Sequence, residues 1–186
     1  MMGEIDHHFL LGLGFRSARI TDPAKTLRRL RSVSGENQVQ LIKAERVAGP
    51  EHLRFAARNA LHSFNGKNPR SNSLAVEYLL FLSCQRQISR AISFLGIEPS
   101  DTSVVLVALS ESKEHLHELE NVSKSLFGES DDNLMEIGSK QKLSGLQHSF
   151  GISKVEMEAA RFQGETDAQV LKRLVVERSA LLSIQG

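Results

Sequence analysis

Apolar positions recur along this chain with two periods, and the periods change at Gly and Pro. From Gly49-Pro50 onward Leu53, Ala56, Ala57, Ala60, Leu61 and Phe64 form one stripe at helical spacing, predicting a helix that closes at Gly66. Three of the six are alanines, which predicts close packing of a neighbour. Residues 74–82 are apolar nearly all round and predict a central helix, capped by Asn72 or Ser73. Residues 86–95 predict a third helix, with Gly96 at its C′ position. Before these, residues 8–20 read as one or two strands. Thr21-Asp22-Pro23 starts a short basic helix reaching about Arg31, and residues 38–47 alternate as a half-buried or edge strand.

Residues 102–109 carry Val104-Val105-Leu106-Val107, apolar in both directions, as in a central strand covered on both faces. Residues 112–127 predict an amphipathic helix with Leu116, Leu119, Val122 and Leu126 on its face. More helix begins at Asp132 or Asn133. Phe150-Gly151-Ile152-Ser153 reads as a helix end and a new cap, and Thr166 or Asp167 starts the last helix. The order predicts an α+β fold: a small mixed or antiparallel sheet of three to four strands with about seven helices, as one domain over 1–186.

Composition narrows the class. The 186 residues are 40% hydrophobic and 24% charged, ordinary for a globular chain with its own core. The longest uncharged run is residues 143–153, too short to span a bilayer, and acids stand where a signal peptide needs cations. A cytoplasmic protein is the expectation. Cys84 is the one cysteine, so no internal disulfide or thiolate cluster forms. The net charge of +1 conceals an asymmetry. Residues 1–97 hold 14 of the 23 Lys+Arg but 7 of the 22 Asp+Glu, which fits either an anionic partner met from one side or a bipolar surface without consequence.

Searches for catalytic motifs return nothing. Gly12-Leu-Gly14 lacks the third glycine of a dinucleotide fingerprint, Gly66-Lys67 is not a phosphate loop, and there is no nucleophile elbow. His115 and His117 lie two apart on a predicted helix and face different ways. They and His7-His8 read as solvated, and no metal site or cofactor is expected. Cys84 reads as a small buried residue rather than a nucleophile. The basic residues are more informative. Arg54 and Arg58, then Lys67 and Arg70, then Arg86 and Arg90 are presented by three successive elements, with Asn68, Asn72, Gln85 and Gln87 among them. Cations mixed with amides suit phosphates and base edges; a merely solvated face is the alternative.

Residues 73–92, Ser-Leu-Ala-Val-Glu-Tyr-Leu-Leu-Phe-Leu-Ser-Cys-Gln-Arg-Gln-Ile-Ser-Arg-Ala-Ile, followed by Phe94-Leu95-Gly96-Ile97, resemble the signature of the small KEOPS subunit, the PRPK-binding protein family. The resemblance continues through residues 101–108 and back through Ala56, Ala57, Asn59, Ala60 and His62. Ser83-x-Gln85-Arg86-Gln87-Ile88 looks like the archaeal branch, where glycine commonly stands at the position of Cys84. That departure asks only for a conventional backbone angle at the cysteine.

The resemblance implies a non-catalytic subunit, without cofactor, that binds and stimulates the kinase-like ATPase of KEOPS. It implies indirect contact with the remaining KEOPS subunits and a part in making threonylcarbamoyladenosine at tRNA position 37. It also implies binding of the single-stranded 3′ CCA end of tRNA. The residues expected there are Arg86, Gln87, Arg90, Arg70, Lys67 and Asn72, with Arg54 and Arg58 as weaker candidates. Arg86 and Arg90, four apart on the predicted third helix, would stand about 6 Å from each other on one groove. The kinase is expected on Ile88, Ile92, Leu95, Ile97, Val175, Leu181 and Leu182, and the apolar tail 180–186 on the kinase rather than on the core. The alternative is a pure protein–protein adaptor without RNA binding.

Overall fold

A computed structural model describes residues 1–33, 38–67 and 69–184. Among these the chain forms four strands and eight α-helices. The strands are β1 (Met2–Ile5), β2 (His8–Phe15), β3 (Gln38–Lys43) and β4 (Val104–Ser110). The helices are α1 (Pro23–Val33), α2 (Pro50–Phe64), α3 (Leu74–Ser83), α4 (Ile88–Leu95), α5 (Lys113–Phe127), α6 (Lys140–Phe150), α7 (Lys154–Ala160) and α8 (Asp167–Ile184). This is the α+β class that the patterning predicts.

The sheet is antiparallel throughout, in the order β1-β2-β4-β3. β4 is central between β2 (Phe15 opposite Val104) and β3 (Lys43 opposite Val104). Its side chains alternate between two cores. Val105, Val107 and Leu109 pack with Leu53, Ala57, Tyr78 and Phe81 of α2 and α3. Val104, Leu106 and Ala108 pack with Leu30 of α1 and Leu116 and Leu119 of α5. A third cluster joins Leu146 and Phe150 of α6 to Met157 of α7 and Val170, Leu174 and Val175 of α8. Among the described residues no helix is long and apolar enough to cross a membrane.

Several local expectations need correction. Strand β1 is missing from the periodicity because it has only four residues. It exists through a two-residue turn in which Asp6 and His7 both take positive φ (45° and 65°), the twist a hairpin requires. The strand expected to reach residue 47 ends at Lys43 and continues as a 3-10 turn at Ala44–Arg46. Gly96 is not left-handed: its φ is −62°. Glycine suits it because a Cβ would lie 2.5 Å from the Ile92 carbonyl oxygen, where the chain bridges to Ile42. Ser73 does cap α3 by position, but the donor Ala75 N–H is taken by Gln38 Oε1 of β3, at 2.6 Å. Ser112, Ser139 and Ser153 supply side-chain caps to α5, α6 and α7.

Candidate functional site

Two depressions that hold the expected site residues lie on the two sides of α4. This eight-residue helix starts two residues later than the periodicity predicts. Gln87 is its N-cap, and Arg86 sits in the turn before it rather than on a helical face. Arg86 and Arg90 therefore do not stack one turn apart on one helix. The turn and the first helical turn nevertheless bring them to one cleft.

That cleft, of about 610 Å³, is walled on one side by Gln85, Arg86, Gln87 and Arg90. The facing wall comes from distant segments: Ser149, Phe150 and Glu156, then Leu174, Glu177, Arg178 and Leu181. Arg178 joins the two parts of that wall. It donates to the Phe150 carbonyl at 2.7 Å and to both oxygens of Glu156 at 2.8 Å. Glu177 lies 3.4 Å from Arg173. Arg86 and Arg90 are exposed, and no carboxylate of the described residues lies within 4.0 Å of either. Both carboxylates of the cleft are thus matched to cations of α8, and two arginines are left uncompensated. Sequence patterning does not find the facing wall, because it is assembled from residues about 60 to 95 positions away.

The turn itself is held from behind. His52 of α2 is buried, accepts from the Ala48 N–H at 3.2 Å and donates to the Leu82 carbonyl at 2.9 Å. Burial lowers its pKa to about 4, so the ring is neutral. Its ring meets Phe150 edge-on at 5.6 Å, tying α2, the end of α3 and the cleft floor together. Cys84 ends α3 with φ 54° and ψ 31°, the left-handed conformation. The conventional backbone angle expected there is wrong: this position keeps the geometry that glycine takes most easily, and the cysteine carries the cost. Burial raises its thiol to about 12, so it stays protonated at neutral pH.

The other expected cations are dispersed. Arg70 is spent on structure, donating to the Leu182 carbonyl at 2.6 Å and lying over Phe81. Lys67 and Asn72 are exposed but do not line the cleft, and Asn68 lies outside the described residues. Arg54 and Arg58 flank the exposed Phe55 on a separate small surface beside Ile5. The single groove expected from three elements is therefore not formed.

The expected kinase residues also divide. Leu95, Val175 and Leu182 are core, at 0%, 0% and 3% exposure. Ile88, Ile92 and Leu181 are exposed, at 40%, 50% and 48%. Leu181 belongs to the arginine cleft. Ile92 and the half-buried Ile97 line a second depression of about 310 Å³ on the other side of α4, with Leu27, Leu41 and Val76. Since Leu182 packs in the main core, the last turn of α8 docks on its own protein, contrary to the expectation for the tail. Residues 185 and 186 of that tail lie outside the described residues.

Residues 18–183 match the family described as kinase binding protein CGI-121. The chain belongs to this family. The match spans everything from the end of β2 to the last turn of α8, so both depressions beside α4 lie within it. It is the same family that residues 73–97 resemble, and its described activity is the binding of a kinase. Among the described residues no three His, Cys, Asp or Glu side chains converge as metal ligands.

Proposed function

We propose that this CGI-121 protein is the non-catalytic KEOPS subunit that holds the kinase-like ATPase on the exposed side of α4 and takes the 3′ CCA end of tRNA into the Arg86–Arg90 cleft. It would act in the cytoplasm, in the synthesis of threonylcarbamoyladenosine at tRNA position 37, and touch the remaining subunits through the kinase. The observation that supports the RNA half is the pair of uncompensated arginines beside Gln87 in a cleft with an apolar wall. Guanidinium groups take phosphates, the amide takes base edges, and the exposed Leu181 offers apolar surface to unpaired bases. A non-catalytic role is supported by the chemistry of the two best nucleophile or base candidates. The Cys84 thiol is held protonated, and His52 spends both ring nitrogens on backbone groups.

Equilibrium binding of intact tRNA and of the same tRNA trimmed of its last three nucleotides tests this. Intact tRNA should bind with an affinity that falls steeply with salt, and trimmed tRNA should bind poorly. Equal affinity for the two sinks the CCA assignment. No binding of either at any salt leaves the pure adaptor. For the kinase half, Ile88→Glu should prevent co-purification of a folded protein with its kinase.

A further inference from the structure

A further cavity, of about 640 Å³, opens between the end of β2, the 3-10 turn Ala44–Arg46 and α6. Arg16, Arg46, Lys142 and His148 line it, with one carboxylate, Glu45. Ser139 and Ser149 add hydroxyls. Ser139 accepts from the Lys142 backbone N–H at 3.1 Å and Ser149 accepts from the Arg46 guanidinium, so each keeps its own O–H to donate. Lys142 is the anomaly. Its partly buried ammonium donates to the Leu134 carbonyl at 2.6 Å, and no carboxylate of the described residues lies within 4.0 Å of it. Glu136, the acid it feels most, is committed to Lys172. Burial lowers the pKa of Lys142 to about 8, which leaves it mostly charged at neutral pH. A partly buried cation without a counter-ion costs free energy that an anion in the cavity would offset. Arg16 is exposed and spends its Nε on Asp131, which leaves its terminal N–H groups for a ligand.

The cavity adjoins the arginine cleft. Ser149 lines both. Beside it, Arg46 of the cavity lies over Phe94 at 4.9 Å, and Phe94 packs on Phe150 of the cleft at 5.2 Å. The lining also limits what the anion can be. No Phe or Tyr side chain faces the cavity, so a free nucleotide finds no such ring against which its base could stack. A backbone phosphate needs only charge and hydroxyl donors, and a strand seated in the cleft would bring its next phosphates past Ser149. We propose that backbone phosphates of the RNA strand leaving the Arg86–Arg90 cleft cross Ser149 and are held at Lys142 and Arg16. This rests on the reading of the cleft as an RNA site and extends the strand's path beyond its 3′ end.

The test is equilibrium binding of intact tRNA to the full chain, with salt varied from about 50 mM to about 200 mM. Lys142→Gln should weaken binding about tenfold at the low end and flatten the slope of log affinity against log salt by about one unit. Arg16→Gln should act in the same direction, about threefold. Glu45→Gln removes the one lining carboxylate and should strengthen binding, a change of sign that a merely structural role would not produce. Arg16 and Glu45 are exposed, so these two variants decide the matter if Lys142→Gln proves unstable, and an unchanged melting temperature is the control for each. If Arg86→Glu with Arg90→Glu abolishes binding while the three cavity variants keep wild-type affinity and slope, the strand does not pass this way and the proposal falls alone. If the wild type binds no tRNA, or the two cleft arginines prove indifferent, the reading of the cleft falls and takes the proposal with it. If the cavity variants cost kinase affinity and spare tRNA, the cavity is a protein surface and the proposal is overturned.

Discussion

The two sides of α4 are built by opposite means. The arginine cleft is assembled across the chain, from the α3–α4 turn and from residues 149–182; its two carboxylates are matched to Arg178 and Arg173 of α8, while Arg86 and Arg90 have no carboxylate of the described residues within 4.0 Å. The apolar depression draws on α1, β3, α3 and α4, and the one cation among its described lining residues, Arg31, donates to the Val39 carbonyl at 3.3 Å. Arg90 and Ile92, two residues apart on one short helix, open on different sides, while Ala91 and Leu95 anchor it in the core. A helix of two turns thus separates a polar site from an apolar one, and each can be disturbed with little effect on the other.

The largest effect should come from the end of α8, which serves the cleft and the core but not the apolar depression. Truncation after Arg178 removes the buried Leu182 and the carbonyl that Arg70 binds. Losing a buried leucine costs about 2–5 kcal/mol, and the hydrogen bond about 1 more. Stability should fall by about 4 kcal/mol in denaturant unfolding. An unchanged midpoint would return the tail to the role of a free docking arm.

Protonation of His52 should weigh next, and it acts behind the cleft. Its folded pKa lies near 4 against 6.5 for the ordinary residue. The unfolded chain therefore binds the extra proton between those values, so stability is full above about pH 6.5 and is lost as pH falls toward 4. At 1.36 kcal/mol per pH unit the loss approaches about 3 kcal/mol. His52→Gln should flatten that part of the stability–pH curve. A histidine variant as pH-sensitive as the wild type would assign the effect to other groups.

Binding should then separate the two sides. Arg86→Glu with Arg90→Glu should lower tRNA affinity about a hundredfold, about 2.8 kcal/mol, and leave kinase affinity unchanged. Ile92→Glu should do the reverse. If either variant weakened both partners alike, the helix would not divide two sites and the comparison would fail.

Much of this organisation was legible in periodicity, and what was not has physical causes. The α2 stripe, the two-faced β4 and the Ser153 cap follow from local spacing, and the structure has them where spacing puts them; the helix expected from Asp132 or Asn133 is only a 3-10 turn over Asp132–Met135, and α6 starts at Lys140 behind the cap Ser139. The position of Arg86 was misread because Arg86 and Gln87 have ordinary helix propensity. What ends the helix before them is the left-handed Cys84, which no periodicity reports. Exposure was misjudged for Leu95, Val175 and Leu182, since apolar residues on a helix that contacts several neighbours have no single inward face. The far wall of the cleft was invisible for another reason. Glu156 and Arg178 meet only through the docking of α7 and α8, and their spacing of 22 residues belongs to no motif.

The smallest effect is expected at Cys84, and its sign is the informative part. A non-glycine residue in the left-handed region carries about 1 kcal/mol of backbone strain. The thiol returns part of that by burial, with Phe81 and Val175 carbonyl oxygens each 3.8 Å from the sulfur. Cys84→Ala keeps the strain and loses the sulfur contacts, so it should destabilise by about 1 kcal/mol. Cys84→Gly loses the same contacts but relieves the strain, and should come out near the wild type. Glycine should therefore be more stable than alanine here by about 1 kcal/mol, the reverse of their order inside a helix. Because this residue sets the turn that carries Arg86, the glycine variant should also keep full tRNA affinity. If alanine proved the more stable of the two, the left-handed cap would not be what stops α3 and directs Arg86 into the cleft.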